Sequence, residues 1–226
     1  AEILEARFTP SLAEDWDVNG LSVGDPVADV HRILFAVDPT LAVVDEAIEI
    51  GAQMIVTHHP LMLRGVTGVA ASTPKGAVVH RAITNGVALY NAHTNADAAA
   101  GGVCDALAEA IGVRSPQPLA PAMDSPGEGT GRVGMLDGPL SLGEFAQRVA
   151  DALPDTHHGV RVAGDVDAIV TTVAVLGGAG DSFLDLVRAS GADAYVTADL
   201  RHHPASEARE LAALGALACA RYVVEQ

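Results

Sequence analysis

Ile55-Val56-Thr57-His58-His59-Pro60 carries a short apolar run straight into two adjacent histidines, where a proline stops it. A run of that length, bounded by a breaker, reads as a buried strand. Strand ends in α/β folds are where ligand sites collect. Two neutral imidazoles at such an end form a metal-binding corner, because histidine is the commonest transition-metal ligand. A solvated loop with a chance histidine pair is the alternative reading.

Working outward, Ile33 to Val37 reads as another buried strand, with Asp38 as helix N-cap and Pro39 at the first helical position. Leu41, Val44 and Ile48 share one helical face, and Gly51 is placed to end the helix. A strand–helix–strand unit of this kind gives parallel strands. Further on, Thr73-Pro74 opens a helix that stops near Asn85-Gly86, and Val87 to Tyr90 is a strand leading into His93-Thr94-Asn95-Ala96-Asp97. Upstream lies the only tryptophan, Trp16, read as a packing anchor.

The second half repeats the first. Gly51 to Thr57 and Gly191 to Thr197 are spaced identically, and Thr197 leads to Asp199 as Thr57 leads to the histidines. Gly86 and Gly215 each precede a strand followed by a polar head and a carboxylate four residues on: His93 with Asp97, Arg221 with Glu225. Two copies of one unit are most simply packed about a pseudo-twofold axis. Residues 1–113 therefore form a first α/β repeat and 161–226 a second, which carries a glycine-rich turn at Gly177 to Gly180. Between them, 114–160 reads as a linker and capping helix: 115–132 are rich in Pro, Gly and Ser, and Ser141 with Glu144 has capping-box spacing. His157-His158 reads as surface, the last helix as Ser206 to Ala213, and Ala216 to Ala220 as a final strand.

The 226 residues carry 29 acids against 13 bases, a formal net charge of −16. That balance excludes nucleic acid or an anionic membrane as the main partner. Two cysteines without a CxxC pattern read as buried thiols in a reducing compartment. No apolar run reaches the roughly 18 residues of a membrane span, and the N-terminal stretch does not read as a signal peptide, so the expectation is cytoplasmic.

Histidine and carboxylate ligands suit a borderline divalent metal, Zn, Fe or Mn. Adjacent histidines diverge and serve two neighbouring metals better than one. Such a pair activates water and clamps the attacking and leaving oxygens. The glycine loop entering a helix is a weaker signal for phosphate, a tight turn being its alternative.

Trp16-Asp17 with Gly20-Leu21 and Gly24-Asp25-Pro26, Thr57-His58-His59-Pro60, His93-Thr94-Asn95-Ala96-Asp97 and Thr197-Ala198-Asp199-Leu200-Arg201-His202-His203 together resemble the GTP cyclohydrolase 1 type 2 homologue family, also called the NIF-three-like family. The resemblance covers nearly the whole chain. It implies two intertwined three-layer α/β/α units with mixed sheets, a toroidal homohexamer and a dinuclear metal site. It makes His58, His59, Asp97 and Glu225 metal ligands, and puts Arg221 where the family's remaining ligand histidine stands. Arginine is permanently cationic and cannot ligate, so one or two divalent ions per chain are implied. His93 reads as sitting behind the ligands, with general base and ligand as alternatives. Asp199, His202 and Arg221 read as facing a substrate or supporting the ligands. Two functions follow: a metal-dependent hydrolase of a nucleotide or other phosphorylated small molecule, or a non-enzymatic metal carrier or assembly factor.

Overall fold

The computed structural model describes residues 1–157, 159–213 and 221–224, the side chains from Ala212 onward excepted. It divides into two compact units, Ala1–Ala99 and Ala100–Gln226.

The first unit opens with helix α1 (Glu2–Arg7) and a 3-10 turn at Pro10–Leu12, then alternates strands β1 (Gly20–Val23), β2 (Ile33–Ala36), β3 (Met54–Thr57) and β4 (Ala88–Asn91) with helices α2 (Leu41–Glu49) and α3 (Pro74–Thr84). The strands lie in the order β1-β4-β3-β2, parallel across β2, β3 and β4, with β1 antiparallel to β4. Every residue of β3 and β4 is buried, as strands covered on both faces must be. One face packs Val44, Ala47, Ile55, Val79 and Leu89; the other packs Met54, Val56, Ala88 and Tyr90 against Leu4, Phe8 and Leu21. Burying a side chain such as Ile55 completely is worth about 1.5–3 kcal/mol, so these two layers hold the strand ends in place.

Two local expectations change. The strand at Ile33 is not buried but the edge of the sheet, and Phe35 is largely exposed. Its apolar composition mimics a central strand because one face still packs on the core. Asp38 does not cap α2. Thr40 holds that position, its Oγ accepting from Val43 N at 3.3 Å, which leaves the Asp38 carboxylate available elsewhere.

Helix α4 (Thr94–Ala98) closes the first unit, and the second has helices α5 (Val103–Ala110), α6 (Leu142–Ala152), α7 (Leu184–Ser190) and α8 (His202–Ala213). Its strands are β5 (Arg114–Ala122), β6 (Ser125–Ser141), β7 (Val160–Arg161), β8 (Ile169–Ala179), β9 (Ala194–Ala198) and β10 (Arg221–Val224), ordered β5-β6-β8-β9-β10-β7. Strands β8, β9 and β10 run parallel and β7 antiparallel to β10. The first unit has the same plan, in which β1 lies antiparallel beside the last of three parallel strands. The internal repeat is therefore visible as topology.

Residues 114–141 are not a linker. They form the β5-β6 hairpin, and β6 pairs on into β8. Proline and glycine misled here because β5 is an edge strand. Pro116, Pro118 and Pro121 lack donors that an edge does not need in full, and they blunt it against further pairing. Gly177 and Gly178 also lie within β8 rather than in a turn, and α8 starts at His202, earlier than its sequence pattern suggests. Cys104 is buried; Cys219, His158 and the expected strand at 216–220 lie outside the described residues. Among the described residues, no helix is long and apolar enough to cross a membrane.

The capping box does form. Glu144 N donates to Ser141 Oγ at 3.2 Å, and Ser141 N donates to Glu144 Oε2 at 2.8 Å. Replacing Ser141 by Ala removes one arm and is expected to cost about 1 kcal/mol, read as a lower urea midpoint at unchanged slope.

Candidate metal centre

Because β2, β3 and β4 run parallel, their carboxyl ends reach one edge of the sheet. Past β2 comes Val37-Asp38, past β3 His58-His59, past β4 Ala92-His93. The ladder continues beyond the strands: His58 N donates to Ala36 O and His59 N to Val37 O. Strand β1 is antiparallel, with Gly20 opposite Asn91, so the residues before it, Asp17 and Asn19, arrive at the same edge. His93 then caps α4, whose single long turn carries the buried Asp97 back over the strand ends.

His58, His59 and His93 each offer a ring nitrogen, and the three atoms lie within 4.8 Å of one another. Each Nδ1 has an oxygen partner. His58 Nδ1 meets Ala92 O at 3.2 Å, His59 Nδ1 meets Asp38 Oδ1 at 2.8 Å, and His93 Nδ1 meets Asp17 Oδ1 at 2.8 Å. Asp97 Oδ1 lies 3.7 Å from His58 Nε2 and is buried with no hydrogen-bond partner among the described residues. Asp17 is the opposite case. Its fully buried carboxylate also accepts from Thr94 N at 3.0 Å, Thr94 Oγ1 at 2.5 Å, Val18 N at 2.8 Å and Asn19 Nδ2 at 3.1 Å.

The electrostatics follow from these contacts. Burial, then the neighbouring His93 and His59, hold the His58 imidazole down at about 4, so it is neutral at physiological pH. Burial, then the Asp17 charge, push the Asp97 carboxyl up to about 7. Burial would raise Asp17 as well, but the bonds from His93, Thr94 and Val18 outweigh it and hold that carboxyl at about 2. At 3.7 Å, with His58 neutral and Asp97 mostly protonated below pH 7, that pair is not a salt bridge in the absence of metal.

A divalent cation fits this donor set. Three converging imidazoles and an unsatisfied buried carboxylate oxygen are the ligand chemistry of Zn, Fe or Mn, and an orphaned acceptor of that kind calls for an explanation.

Of the residues read from sequence as ligands, the structure puts His58 beside both His59 and Asp97. It draws His93 in among the possible donors, where the sequence had favoured a place behind them. Glu225 lies outside the described residues. Arg221 opens β10, and only its backbone is described. Asp199 and His202 are exposed in the second unit, Asp199 at a left-handed φ of 50° just past β9. Trp16 is not a core anchor: it is 58% exposed and sets its ring edge-on to His93, with centroids 5.9 Å apart. Two residues of the site escaped the sequence reading, Asp17 and Asp38. The only signal for Asp38 was its place one residue past a strand, where an Asp-Pro pair reads more readily as a helix start.

The fold and these donors define a two-unit α/β protein with a histidine-rich candidate metal centre at the carboxyl edge of its first sheet. The chain belongs to the Duf34/NIF3 (NGG1p interacting factor 3) family, whose profile matches residues 1–225. It is 54% identical to the GTP cyclohydrolase 1 type 2 homolog of Streptomyces coelicolor over 224 residues, which cover 98% of this chain and 79% of that one. The Mycobacterium tuberculosis protein of the same name is 36% identical, with 91% and 82% covered. Among solved structures, a Bacillus cereus protein related to NIF3 superposes with a TM-score of 0.89 at 26% identity, covering 98% of this chain and 85% of that one. Reduced HcgD from Methanocaldococcus jannaschii gives 0.80 at 30%, covering 98% and 83%.

Proposed function

We propose that this protein binds a divalent cation between His58, His59, His93 and Asp97 and uses it to hydrolyse a nucleotide or other phosphorylated small molecule. The observation that carries the reading is the trio of imidazoles whose ring nitrogens lie within 4.8 Å of one another, with the orphaned Asp97 Oδ1 3.7 Å from the His58 ring. The name borne by the Streptomyces and Mycobacterium relatives supports a nucleotide as the first substrate class to test.

When bound, the cation supplies Lewis acidity, polarising water and an oxygen of the substrate. The chain's residues do the rest. His58 is already neutral and needs lose no proton to ligate. Asp97 gives up its proton on binding and compensates part of the cation's charge. His59 is half exposed and faces solvent. A second cation would draw on donors beyond these four, Glu225 being the one the resemblance implies.

The test starts from chelated full-length protein, reloaded with Zn(II), Mn(II) or anaerobic Fe(II) and subjected to elemental analysis. Loaded protein is then assayed against GTP and a panel of nucleotides. At least one ion per chain and metal-dependent turnover are expected. Retention of metal without turnover of any nucleotide would favour the carrier reading, and no retention of any of the three ions would end both.

A further inference from the structure

All three imidazoles of the centre are anchored through the same atom. An oxygen lone pair opposite Nδ1 demands a proton there, so His58, His59 and His93 each carry a proton on Nδ1, and Nε2 is the atom left to ligate. A ligand histidine that donates its other ring N–H to a carboxylate gains both orientation and basicity. Two of the three anchors here are carboxylates, Asp17 and Asp38. They reach the site by unrelated routes, one ahead of the antiparallel β1 and one just past the edge strand β2.

Building on the metal reading above, we infer that Asp17 and Asp38 are positioning residues that fix the tautomer and aim of His93 and His59 within the candidate metal centre. The two arms differ in kind. Asp17 is fully buried and also ties Thr94, Val18 and Asn19, so it fixes His93 and the loop together. Asp38 is 61% exposed, and among the described residues its carboxylate hydrogen-bonds only His59. An exposed carboxylate with one partner contributes little to stability. It does not cap α2, since Thr40 does. Orientation of His59 is the role its geometry leaves. The centre thus has a buried arm at His93 and a solvent-facing arm at His59.

Asp38 is the decisive residue to test, because its removal is expected to cost the fold little, whereas Asp17→Asn also removes bonds that hold the loop. Two measurements on full-length protein are needed. The first is 15N NMR of the imidazoles in metal-free protein. It is expected to show the Nδ1–H tautomer at all three histidines in wild type, and mixed tautomers at His59 alone in Asp38→Ala. The second is Zn(II) affinity by competition with a chromophoric chelator. It is expected to fall about 10-fold in Asp38→Ala and about 100-fold in Asp17→Asn, with partial recovery in Asp38→Glu. If wild type binds Zn(II) and Asp38→Ala binds it equally well with an unchanged His59 tautomer, the positioning role is overturned while the metal centre stands. If wild type binds no Zn(II), Mn(II) or Fe(II), the metal reading itself falls, and the positioning role falls with it.

Discussion

Asp97→Asn is expected to stabilise the metal-free protein above pH 7 and, in the same variant, to abolish most of its metal affinity. The buried carboxyl ionises near pH 7 rather than at its ordinary 3.8. Between those values the folded state keeps a proton that the unfolded chain has lost, so this group's contribution falls as pH rises through the window. The full penalty, reached above pH 7, is about 4 kcal/mol. His58 works in the opposite direction. Held at about 4 instead of 6.5, it stays neutral in the fold while the unfolded chain is protonated, and its contribution climbs with pH from about 4 to 6.5. In wild type the two slopes nearly cancel. The amide variant removes one and exposes the other. The difference in unfolding free energy, variant minus wild type, should be near zero at pH 4 and grow to a few kcal/mol above pH 7, as read by urea melts in chelator. Saturating Zn(II) should reverse the order, because only wild type gains the full stabilisation that comes from binding the native state. A difference that stays flat from pH 4 to 8 would mean that Asp97 is ionised in the metal-free fold.

Much of this arrangement is legible in the chain. Apolar runs that follow helices closed by Gly51, Gly86 and Gly191 mark the parallel strands, and the two histidines after Thr57 mark where a ligand site sits. Matching spacing in the second half anticipates the second parallel set. What the chain hides is set by contacts distant in sequence. Asp17 reaches His93 across 76 positions, and only because β1 turns back antiparallel along β4. No local pattern encodes that return. Asp38 is hidden for a different reason: Asp followed by Pro is a good helix start, and propensity favours that assignment until the structure shows Thr40 accepting from Val43. Trp16 looked like core because it is large and alone, but its edge contact with His93 puts it at the site. The β5-β6 hairpin was obscured by composition, since proline at an edge and glycine beneath a crowded neighbour both resemble linker chemistry.

Arg132 shows why that segment is not a linker, and its replacement is the second large effect expected. A linker would not carry a guanidinium that is 1% exposed. Here Nη1 donates to Gly129 O at 2.6 Å and Gly131 O at 2.8 Å, while Nε and Nη2 both donate to the Asp105 carboxylate on α5. Asp105 is held below the usual carboxylate range despite its burial, by the Arg132 bond first and then by Gly101 N. The glycines on either side are part of the same device. Gly129 has φ of 142°, and a Cβ there would lie 2.1 Å from Ala120 O; Gly131 has φ of 66°. Both conformations favour glycine, and they fold the hairpin backbone around the cation. Arg132→Ala therefore leaves two carbonyls without their donor, a carboxylate without its partner and a void in the second unit, at a cost of about 3–5 kcal/mol. The loss should be followed by hydrogen exchange of the β6 and β8 amides, which lie in the same unit as Arg132. In the double variant with Asp105→Ala, the charge left behind is gone, and the combined cost should fall well short of the sum of the two single costs. Additive costs would mean that Arg132 acts by filling space, with the ion pair contributing nothing of its own.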